Sequence, residues 1–525
     1  MKSLSLLFGL TLLFAFSDCQ APLTEKNETT TLAVSTSTDY RPPVFADDDR
    51  AKKVSAAAQA FDRLCRNQAA ARHIPGLAYG VVVDDSLVVF GATGTIDLEK
   101  DRPASTRSAF RIASMTKSFT AMAILHLRDE GKLSLSDPVA KYIPGMAELK
   151  YLTDDAPPID IENLLTMTAG FPEDNPWGDR QLAVPNETLT RLVEEGLSFS
   201  NVPSVQYEYS NLGYALLGRI ISRVSGVSYQ HYIRQHILVP LGMNDTWWEY
   251  GEIPEDQLAL GYRYEDEEWK DEPMLHDGAF GAMGGLITTI EDFSKYVRFH
   301  LSAWPPRNGA DEGPVKRSTL REMHTPQFPR LYAEATGFNG ETCPAMSGYG
   351  YGLSISQDCN GLRRVAHGGA LPGFGSNYVF YPDYGVGVMA FGNLTYTGPL
   401  PRTSVEALLF DTIGLQPRVL PVSDILKERQ VQIVQLIQTW DPALEAEILA
   451  ENFYLDRSRE HRMTEIEEML EKAGPVREVE PINPFNQLRG RFKMQTENGT
   501  ISVFFTLTPE KEPKVQQLDV SFQPE

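Results

Sequence analysis

The segment FRIASMTKSFTAMAILHLRDEG, residues 110–131, contains the pattern on which the interpretation of this chain depends. Its apolar residues recur at helical spacing and Gly131 is typical of a helix end, so a helix is predicted to begin near Ser114. Residues three apart on a helix lie on one face, with their Cβ atoms about 5–6 Å apart. The hydroxyl of Ser114 and the amine of Lys117 are therefore expected to form a hydrogen bond.

A serine hydroxyl becomes an effective nucleophile only when a neighbouring group accepts its proton. Lys117 can accept it only if burial or nearby positive charge lowers the pKa of the amine. Because the helix dipole favours negative charge at the N-terminus, the position of Ser114 suits a nucleophile. For this segment alone, an ordinary helix with a surface lysine is the alternative, since S-x-x-K often arises by chance.

A second motif, Tyr209-Ser210-Asn211, lies at the predicted start of a later helix. The phenol of Tyr209 offers an acid or a base, particularly as a phenolate near a lysine. The amide of Asn211 can hold a substrate carbonyl. Taken alone, the motif is interpreted as a helix cap beside a packed tyrosine.

A third motif, His367-Gly368-Gly369, is predicted to end the strand GLRRVAH. Two glycines let a backbone approach a bound substrate and leave the following N–H groups free as donors. One of these N–H groups and the amide of Ser114 are expected to form an oxyanion hole. Taken alone, the motif is interpreted as a bulged strand end with a structural histidine.

Sheet patterns lie on both sides of the predicted helical region between Ser114 and Gly242. Before it, two β-rich runs joined at Asp84-Asp85 predict an antiparallel hairpin, and after it four strand-like runs predict an antiparallel meander followed by a helix. We therefore predict an α+β fold, in which an antiparallel sheet is flanked by helices and an all-helical subdomain is inserted. The runs are LAYGVVV and SLVVFGAT before the helices, and YGYGLSIS, GLRRVAH, SNYVFYP and GVGVMAFGN after them.

The three motifs occur once each, in the order S-x-x-K, Y-x-N and H-G-G, on the predicted elements that suit them. With them, residues 56–415 resemble the serine β-lactamase and penicillin-binding protein superfamily. The resemblance is to its class C-like branch in particular, with the family-VIII esterases and D-aminopeptidase-type serine hydrolases. It implies a β-lactamase/transpeptidase-like fold and hydrolysis through an acyl-enzyme. Further stretches similar to this family are IENLLTMTAGFP, GAMGGLITTIEDFSKY and HGGALPGFGSNYVFYPDYGVGVMAFGN.

The resemblance also implies a role for each motif residue. Ser114 is the expected nucleophile, and Lys117 and Tyr209 are the expected proton-transfer pair, which also activates the water for deacylation. The residue after the H-G-G triad is expected to supply the second oxyanion N–H. The residues expected to bind substrate are Asn211, His367, Gly368, Gly369 and Ala370.

His367 departs from the pattern of the β-lactamases in this branch, which usually have a lysine at that position. The lysine helps to bind the carboxylate of a penicillin or of a D-Ala terminus, and a mostly neutral histidine does so less well. We therefore expect, in this order, a short-chain esterase, a D-amino-acid peptidase or amidase, and a β-lactamase. The alternative from another class is a non-catalytic binding protein with the penicillin-recognition fold.

Overall charge and absent motifs exclude several other functions. A formal net charge of −22 argues against binding to nucleic acid or to an anionic membrane surface. The sequence has no G-x-S-x-G, H-E-x-x-H or Walker A motif, and its nine histidines show no zinc spacing. We expect no metal and no cofactor, and a small-molecule or peptide substrate as the partner.

The N-terminal residues predict export. Residues 1–20 are typical of a signal peptide, and residues 21–55 are typical of a flexible tether. Cys19 is either a lipidated residue that tethers the protein to a membrane, or it is lost through cleavage near Ala21. In both cases we expect a periplasmic or outer-surface protein.

The C-terminal half contains a possible disulfide and a second domain. Cys343 and Cys359 flank a short glycine-containing stretch and are able to form a disulfide in an oxidising compartment. After a proline-rich linker, residues 422–525 predict helices packed on a short antiparallel sheet, with a hairpin at Asn498-Gly499. This small α+β domain is expected to be similar to a cystatin or NTF2 module.

Overall fold

The computed structural model describes residues 35–525, with only the backbone described for 330–333 and 335. The predicted signal peptide with Cys19, and part of the predicted tether, lie outside the described residues. Residues Tyr40–Glu525 form one compact unit. The helices are α1 (Arg50–Ala56), α2 (Ala58–Ala71), α3 (Thr116–Asp129), α4 (Ile161–Leu165), α5 (Asn175–Gly178), α6 (Asn186–Glu195), α7 (Asn211–Ser225), α8 (Tyr229–Ile233), α9 (Gly281–Gly284), α10 (Ile290–Ser302), α11 (Arg317–Met323), α12 (Arg402–Ala407), α13 (Asp424–Thr439), α14 (Pro442–Ile448) and α15 (Arg459–Ala473). The strands are β1 (Gly76–Val83), β2 (Ser86–Asp97), β3 (Arg102–Pro103), β4 (Phe110–Arg111), β5 (Thr246–Trp247), β6 (Tyr262–Glu265), β7 (Glu268–Asp271), β8 (Ile287–Thr288), β9 (Phe328–Thr336), β10 (Thr342–Tyr349), β11 (Ser354–Asp358), β12 (Arg363–Leu371), β13 (Phe374–Tyr381), β14 (Val386–Gly392), β15 (Val476–Val479), β16 (Asn483–Asn486), β17 (Arg489–Thr496), β18 (Gly499–Leu507) and β19 (Val515–Pro524).

Nine strands form one antiparallel sheet in the order β3-β2-β1-β14-β13-β12-β11-β10-β9. Within it β1 pairs with β14, from Leu77↔Gly392 to Val83↔Val386, so strands from distant parts of the chain meet. The predicted hairpin β1–β2 and the predicted meander β11–β14 are present in this sheet. The α+β fold class is therefore confirmed, with a helix-rich segment inserted between the two groups of strands.

Helix α3 is buried along most of its length and packs against α7 and α9. Its apolar residues share one core with those of α7, α10 and the sheet. Because a buried polar group needs a hydrogen-bond partner, the polar residues of α3 are paired. Ser118 Oγ donates to a carbonyl of the preceding turn, and Thr120 Oγ1 donates to the Ala282 carbonyl. Lys117, which is also polar and buried, belongs to the candidate site.

Three differences from the prediction concern strands β9–β12. The sequence does not predict β9 and β10, because a proline in each interrupts the usual strand pattern. Tyr349 ends β10, so the first residues of YGYGLSIS are not part of β11. The prediction that His367 ends its strand is wrong, because β12 continues to Leu371 by pairing with β13.

Several helices of the fold are short. Helix α1 covers the end of the tether predicted for residues 21–55, and it meets α2 at Ala57. The patch GAFGAMGGL forms its own short helix α9, and β8 separates it from α10. This separation arises because Ile287 in β8 pairs with Arg111 in β4 and with Trp247 in β5. No described helix is both long enough and apolar enough to cross a membrane.

The residues after the proline-rich linker form helices α13–α15 and a five-stranded sheet. They enclose a hydrophobic core of their own, which includes Leu436, Phe492 and Phe505. Strands β17 and β18 form the hairpin predicted at Asn498-Gly499. The similarity of this region to a cystatin or NTF2 module stays a prediction.

Candidate active site

Ser114 lies in a 3₁₀ turn, Ala113–Met115, immediately before α3 and is 8% exposed. Strand β12 packs against this turn so closely that a Cβ added to Gly369 would lie 2.1 Å from the Ile112 carbonyl oxygen. Ser376 Oγ on β13 donates a hydrogen bond to the same carbonyl at 2.7 Å. Two neighbouring strands of the large sheet therefore hold the turn that carries Ser114.

Lys117 is fully buried one helical turn after Ser114. Its Nζ lies 3.0 Å from Ser114 Oγ, 2.7 Å from Asn211 Oδ1 and 2.9 Å from the Met283 carbonyl oxygen. An amide oxygen and a backbone carbonyl accept hydrogen bonds but cannot donate them. A neutral amine has two N–H groups and one lone pair, so its donors satisfy Asn211 and Met283 while the lone pair faces Ser114. Of these three partners, Ser114 is the one that can give a proton to Lys117.

The surroundings also set the protonation state of Lys117. Desolvation of the buried amine lowers its pKa to about 7, although the carboxylates of Asp179 and Asp174 favour the charged form. Burial likewise raises the pKa of Asp179 to about 6. Near neutral pH a large share of Lys117 is therefore an uncharged amine, which is the form that accepts a proton.

Asn211 begins α7 and its amide is bonded at both ends. The oxygen accepts from Lys117, while Nδ2 donates to Asn175 Oδ1 at 3.1 Å and to Asp179 Oδ1 at 3.5 Å. Its backbone N–H donates to Asp174 Oδ1 at 2.6 Å, so this carboxylate caps the helix. Asn211 is completely buried and supports the lysine. Its expected contact with a substrate carbonyl stays a prediction.

Tyr209 is half-buried beside Lys117, whose Nζ lies 4.9 Å from the centre of the phenol ring. Burial raises the pKa of Tyr209 well above its usual value, and a hydrogen bond with Ser114 acts in the opposite direction. The resting side chain is therefore a neutral phenol and not the phenolate that the motif suggested. The neutral phenol lies beside Ser114 and holds a proton for later steps.

His367 lies in the interior of β12 and is 7% exposed. Its Nδ1 is 2.5 Å from the Gly368 carbonyl oxygen, and its Nε2 is 3.0 Å from the Tyr349 hydroxyl. Because a carbonyl oxygen only accepts, Nδ1 carries the proton and Nε2 accepts from the tyrosine. Burial, followed by the charge of Lys117, lowers the pKa of His367 to about 4. The imidazole is therefore uncharged at neutral pH.

The segment expected to supply oxyanion donors follows His367 along β12. Strand β11 pairs with β12 only as far as Ala366, and β13 pairs with its other edge as far as Leu371. Among the described residues, the edge of β12 that faces β11 thus has no strand partner beyond Ala366. Gly368 is exposed and Ala370 is partly exposed on this segment, which packs against the Ser114 turn. The assignment of the second oxyanion N–H to Ala370 stays a prediction.

Four contributors to the site carry no signal in the three motifs. The Met283 carbonyl comes from the glycine-rich patch, and Tyr349 comes from the end of β10. Asp174 and Asp179 stand at the two ends of the short helix α5, and only their contacts with Asn211 identify them. Within residues 35–525, no group of His, Cys, Asp or Glu side chains has the arrangement that a metal ion requires.

The sheet with its inserted helices, together with the Ser–Lys–Tyr cluster, defines a protein of the serine β-lactamase and penicillin-binding protein superfamily. The family model described as Beta-lactamase matches residues 61–411, more than half of the chain. The chain therefore belongs to the beta-lactamase family.

Curated relatives match part of the chain. Protein flp of Staphylococcus aureus (strain MW2) is 29% identical over 345 residues, which are 64% of this chain and 63% of that protein. Penicillin-binding protein 4* of Bacillus subtilis (strain 168) is 29% identical over 309 residues, which are 55% of this chain and 62% of that protein. The chain thus spans less than two thirds of the length of these relatives.

Solved structures agree in fold. The octameric penicillin-binding protein homologue from Pyrococcus abyssi has a TM-score of 0.56 at 24% identity, covering 88% of this chain and 95% of that one. A penicillin binding protein from Bacillus halodurans has a TM-score of 0.52 at 23% identity, covering 66% of this chain and 98% of that one. At these identities the likeness concerns the fold alone.

Proposed function

We propose that this protein is a serine hydrolase that forms an acyl-enzyme on Ser114 from an ester or amide and then hydrolyses it. The observation that carries the proposal is the position of Lys117, whose Nζ lies 3.0 Å from Ser114 Oγ and is also held by two acceptors, Asn211 Oδ1 and the Met283 carbonyl. Burying an amine is costly, and a protein that only binds has no evident use for an uncharged lysine beside a serine hydroxyl.

In the acylation step, Lys117 accepts the proton of Ser114 while Oγ attacks the carbonyl carbon of the substrate. Backbone N–H groups of Ser114 and Ala370 stabilise the resulting oxyanion. The bond to the leaving group then breaks, and the leaving group takes the proton from Lys117 through Tyr209. Water next attacks the acyl ester and passes a proton to the same pair, which releases the acid and restores the Ser114 hydroxyl.

The favoured substrates are short-chain esters, followed by D-amino-acid peptides or amides and then by β-lactams. The uncharged state of His367 supports this order, because a penicillin and a D-Ala terminus both carry a carboxylate that needs a partner.

We also propose that the protein acts outside the cytoplasm, in the periplasm or on the outer surface, with or without a lipid at Cys19. The signal-like pattern of residues 1–20 supports this location. A disulfide joins Cys343 and Cys359, as the sequence allows, and such bonds are typical of oxidising compartments.

The test is hydrolysis of p-nitrophenyl butyrate by the wild type and by Ser114→Ala, with intact-protein mass spectrometry of the reaction. We expect kcat/KM to fall at least about a thousandfold in Ser114→Ala, and an acyl adduct to form in the wild type alone. Ser302→Ala, at the C-terminal end of α10, is the matched control and should retain activity. If a folded wild type showed no turnover and no acyl adduct, the proposal would be overturned and the binding-protein alternative would remain.

A further inference from the structure

The hydrogen bond between Tyr349 and His367 takes no part in proton transfer to or from Ser114. We propose that Tyr349 occupies Nε2 of the uncharged His367 imidazole and leaves it without a free N–H, and that the site therefore selects acyl donors that carry no carboxylate. This inference rests on the proposed hydrolase function and specifies its substrate class, namely uncharged esters and amides.

The side chain of His367 belongs to the candidate site. Alternate residues of a strand share one face, so His367 lies on the same face of β12 as Gly369. That face meets the Ser114 turn, since a Cβ at Gly369 would contact the Ile112 carbonyl oxygen. The imidazole ring centre is also 6.4 Å from the ring centre of Tyr209. A substrate bound at Ser114 therefore lies close to the imidazole.

Both nitrogens of His367 are already bonded. Nδ1–H donates to the Gly368 carbonyl, and Nε2 accepts from the Tyr349 hydroxyl. Tyr349 is itself 2% exposed, and its ring packs edge-on against the imidazole and 5.6 Å from the ring of Tyr207. Because this packing holds the tyrosine in place, neither imidazole nitrogen is left to donate to a carboxylate.

The groups that face His367 from neighbouring elements do not provide a substitute cation. They are Lys117 from α3, Tyr209 from the segment before α7, Tyr349 from β10 and Tyr378, its register partner on β13. Lys117 is the cationic group among them, and its charge opposes protonation of the imidazole. Its Nζ is completely buried and bonded to three partners, so it is not open to a substrate carboxylate. A carboxylate that enters this region loses its hydration without gaining a partner.

The experiment compares two esters that differ in one charge, p-nitrophenyl hemiglutarate and its methyl ester, p-nitrophenyl methyl glutarate. The measured quantity is the kcat/KM of the anionic ester divided by that of the neutral ester. For the wild type we expect a ratio at or below about one tenth that stays constant between about pH 5.5 and pH 8. A wild-type ratio near one, with rapid hydrolysis of the neutral ester, would overturn this inference and leave the hydrolase function intact. Failure to hydrolyse either ester would instead count against the hydrolase function.

Tyr349→Phe tests the tyrosine directly, because it removes the hydroxyl and keeps the ring. In this variant Nε2 is open, and an entering carboxylate favours its protonation, so we expect the ratio to rise about tenfold at about pH 5.5 and less at pH 8. Tyr351→Phe is the matched control, since that hydroxyl donates to Glu162, and its ratio should equal that of the wild type. An unchanged ratio in Tyr349→Phe would contradict the proposal.

A second readout does not depend on turnover. In the full chain labelled with ¹⁵N-histidine, the ring nitrogens of His367 are assigned by comparison with His367→Gln. We expect a protonated Nδ1 and an unprotonated Nε2 throughout the range from about pH 5.5 to pH 8. A protonated Nε2 in the wild type would overturn the proposal, even if Tyr349→Phe failed to fold.

Discussion

Asn211 Oδ1 accepts a hydrogen bond from Lys117 Nζ at 2.7 Å, while the other end of the same amide donates to Asn175 and Asp179. The asparagine of the Y-x-N motif thus supports the lysine. Its oxygen satisfies one N–H without adding a charge that would favour the ammonium form. A charge at position 211 is therefore expected to change the pKa of Lys117 and with it the pH dependence of the reaction.

Asn211→Asp should raise the pKa of Lys117, because a carboxylate would then lie next to Nζ. We expect the acidic limb of the kcat/KM profile for p-nitrophenyl butyrate to move up by at least about one pH unit, with about a tenfold loss of activity at pH 7. Asn175→Asp is the control, since it keeps an acceptor for Asn211 and places the charge farther from the amine. A limb that stays in place in Asn211→Asp would show that the amide does not set the protonation of Lys117.

The wild type should lose activity as the pH falls through about 7. The proton acceptor is the neutral form of Lys117, whose pKa burial lowers to about 7, so the active fraction grows above this pH and shrinks below it. His367, with a pKa of about 4, should add no step between about pH 5 and pH 8. A kcat/KM profile with a neutral ester measures this, and Lys117→Arg should be inactive throughout because its guanidinium stays charged. A profile that rises towards low pH would contradict the assignment.

Gly369→Ala should destabilise the protein more than Gly368→Ala. A Cβ at Gly369 would lie 2.1 Å from the Ile112 carbonyl oxygen and 2.3 Å from Ser376 Oγ, so the strand or the Ser114 turn must move. Gly368 is exposed, and a Cβ there would lie 3.0 Å from Asn377 Nδ2 and 3.8 Å from the Ser376 carbonyl oxygen. We expect Gly369→Ala to lower the free energy of unfolding by about 1–3 kcal/mol, measured by urea denaturation. Equal stability of the two variants would show that β12 does not press on the turn.

Removal of the disulfide should lower stability. The bond between Cys343 and Cys359 joins β10 to the turn that precedes β12, across a sequence separation of 16 residues. A loop of this size is worth about 3 kcal/mol in the chain-entropy description. We expect the double variant Cys343→Ser/Cys359→Ser to melt at a lower temperature in calorimetry.

A reductant provides the control for this disulfide. Dithiothreitol should lower the melting temperature of the wild type and leave that of the double variant unchanged, because the remaining described cysteine, Cys65, is a buried free thiol. A wild type that melts identically with and without reductant would contradict the expected contribution of the bond.

The parts of the fold that the sequence predicts correctly are those with short-range patterns. Alternating β-rich runs around Asp84-Asp85 and the turn at Asn498-Gly499 identify hairpins, because strand register follows from turn geometry. The extension of β12 past His367 depends on its pairing with β13, and no local pattern reports that pairing. The edge strand β9 and its neighbour β10 are missed for a similar reason, since their prolines conflict with local propensity and only their partners stabilise them.

The sequence by itself determined that Ser114 and Lys117 lie within hydrogen-bonding distance, because a three-residue spacing at the start of a helix is a local property. It also identified the residues of the Y-x-N and H-G-G motifs as candidates for the same site. Only the tertiary structure decided the electrostatic state of these groups. The pKa of Lys117 and the tautomer of His367 depend on burial and on partners such as Met283 and Tyr349, which are far away along the chain. Desolvation and hydrogen bonding act through space, so the chemistry of the site follows from folding and not from spacing along the sequence.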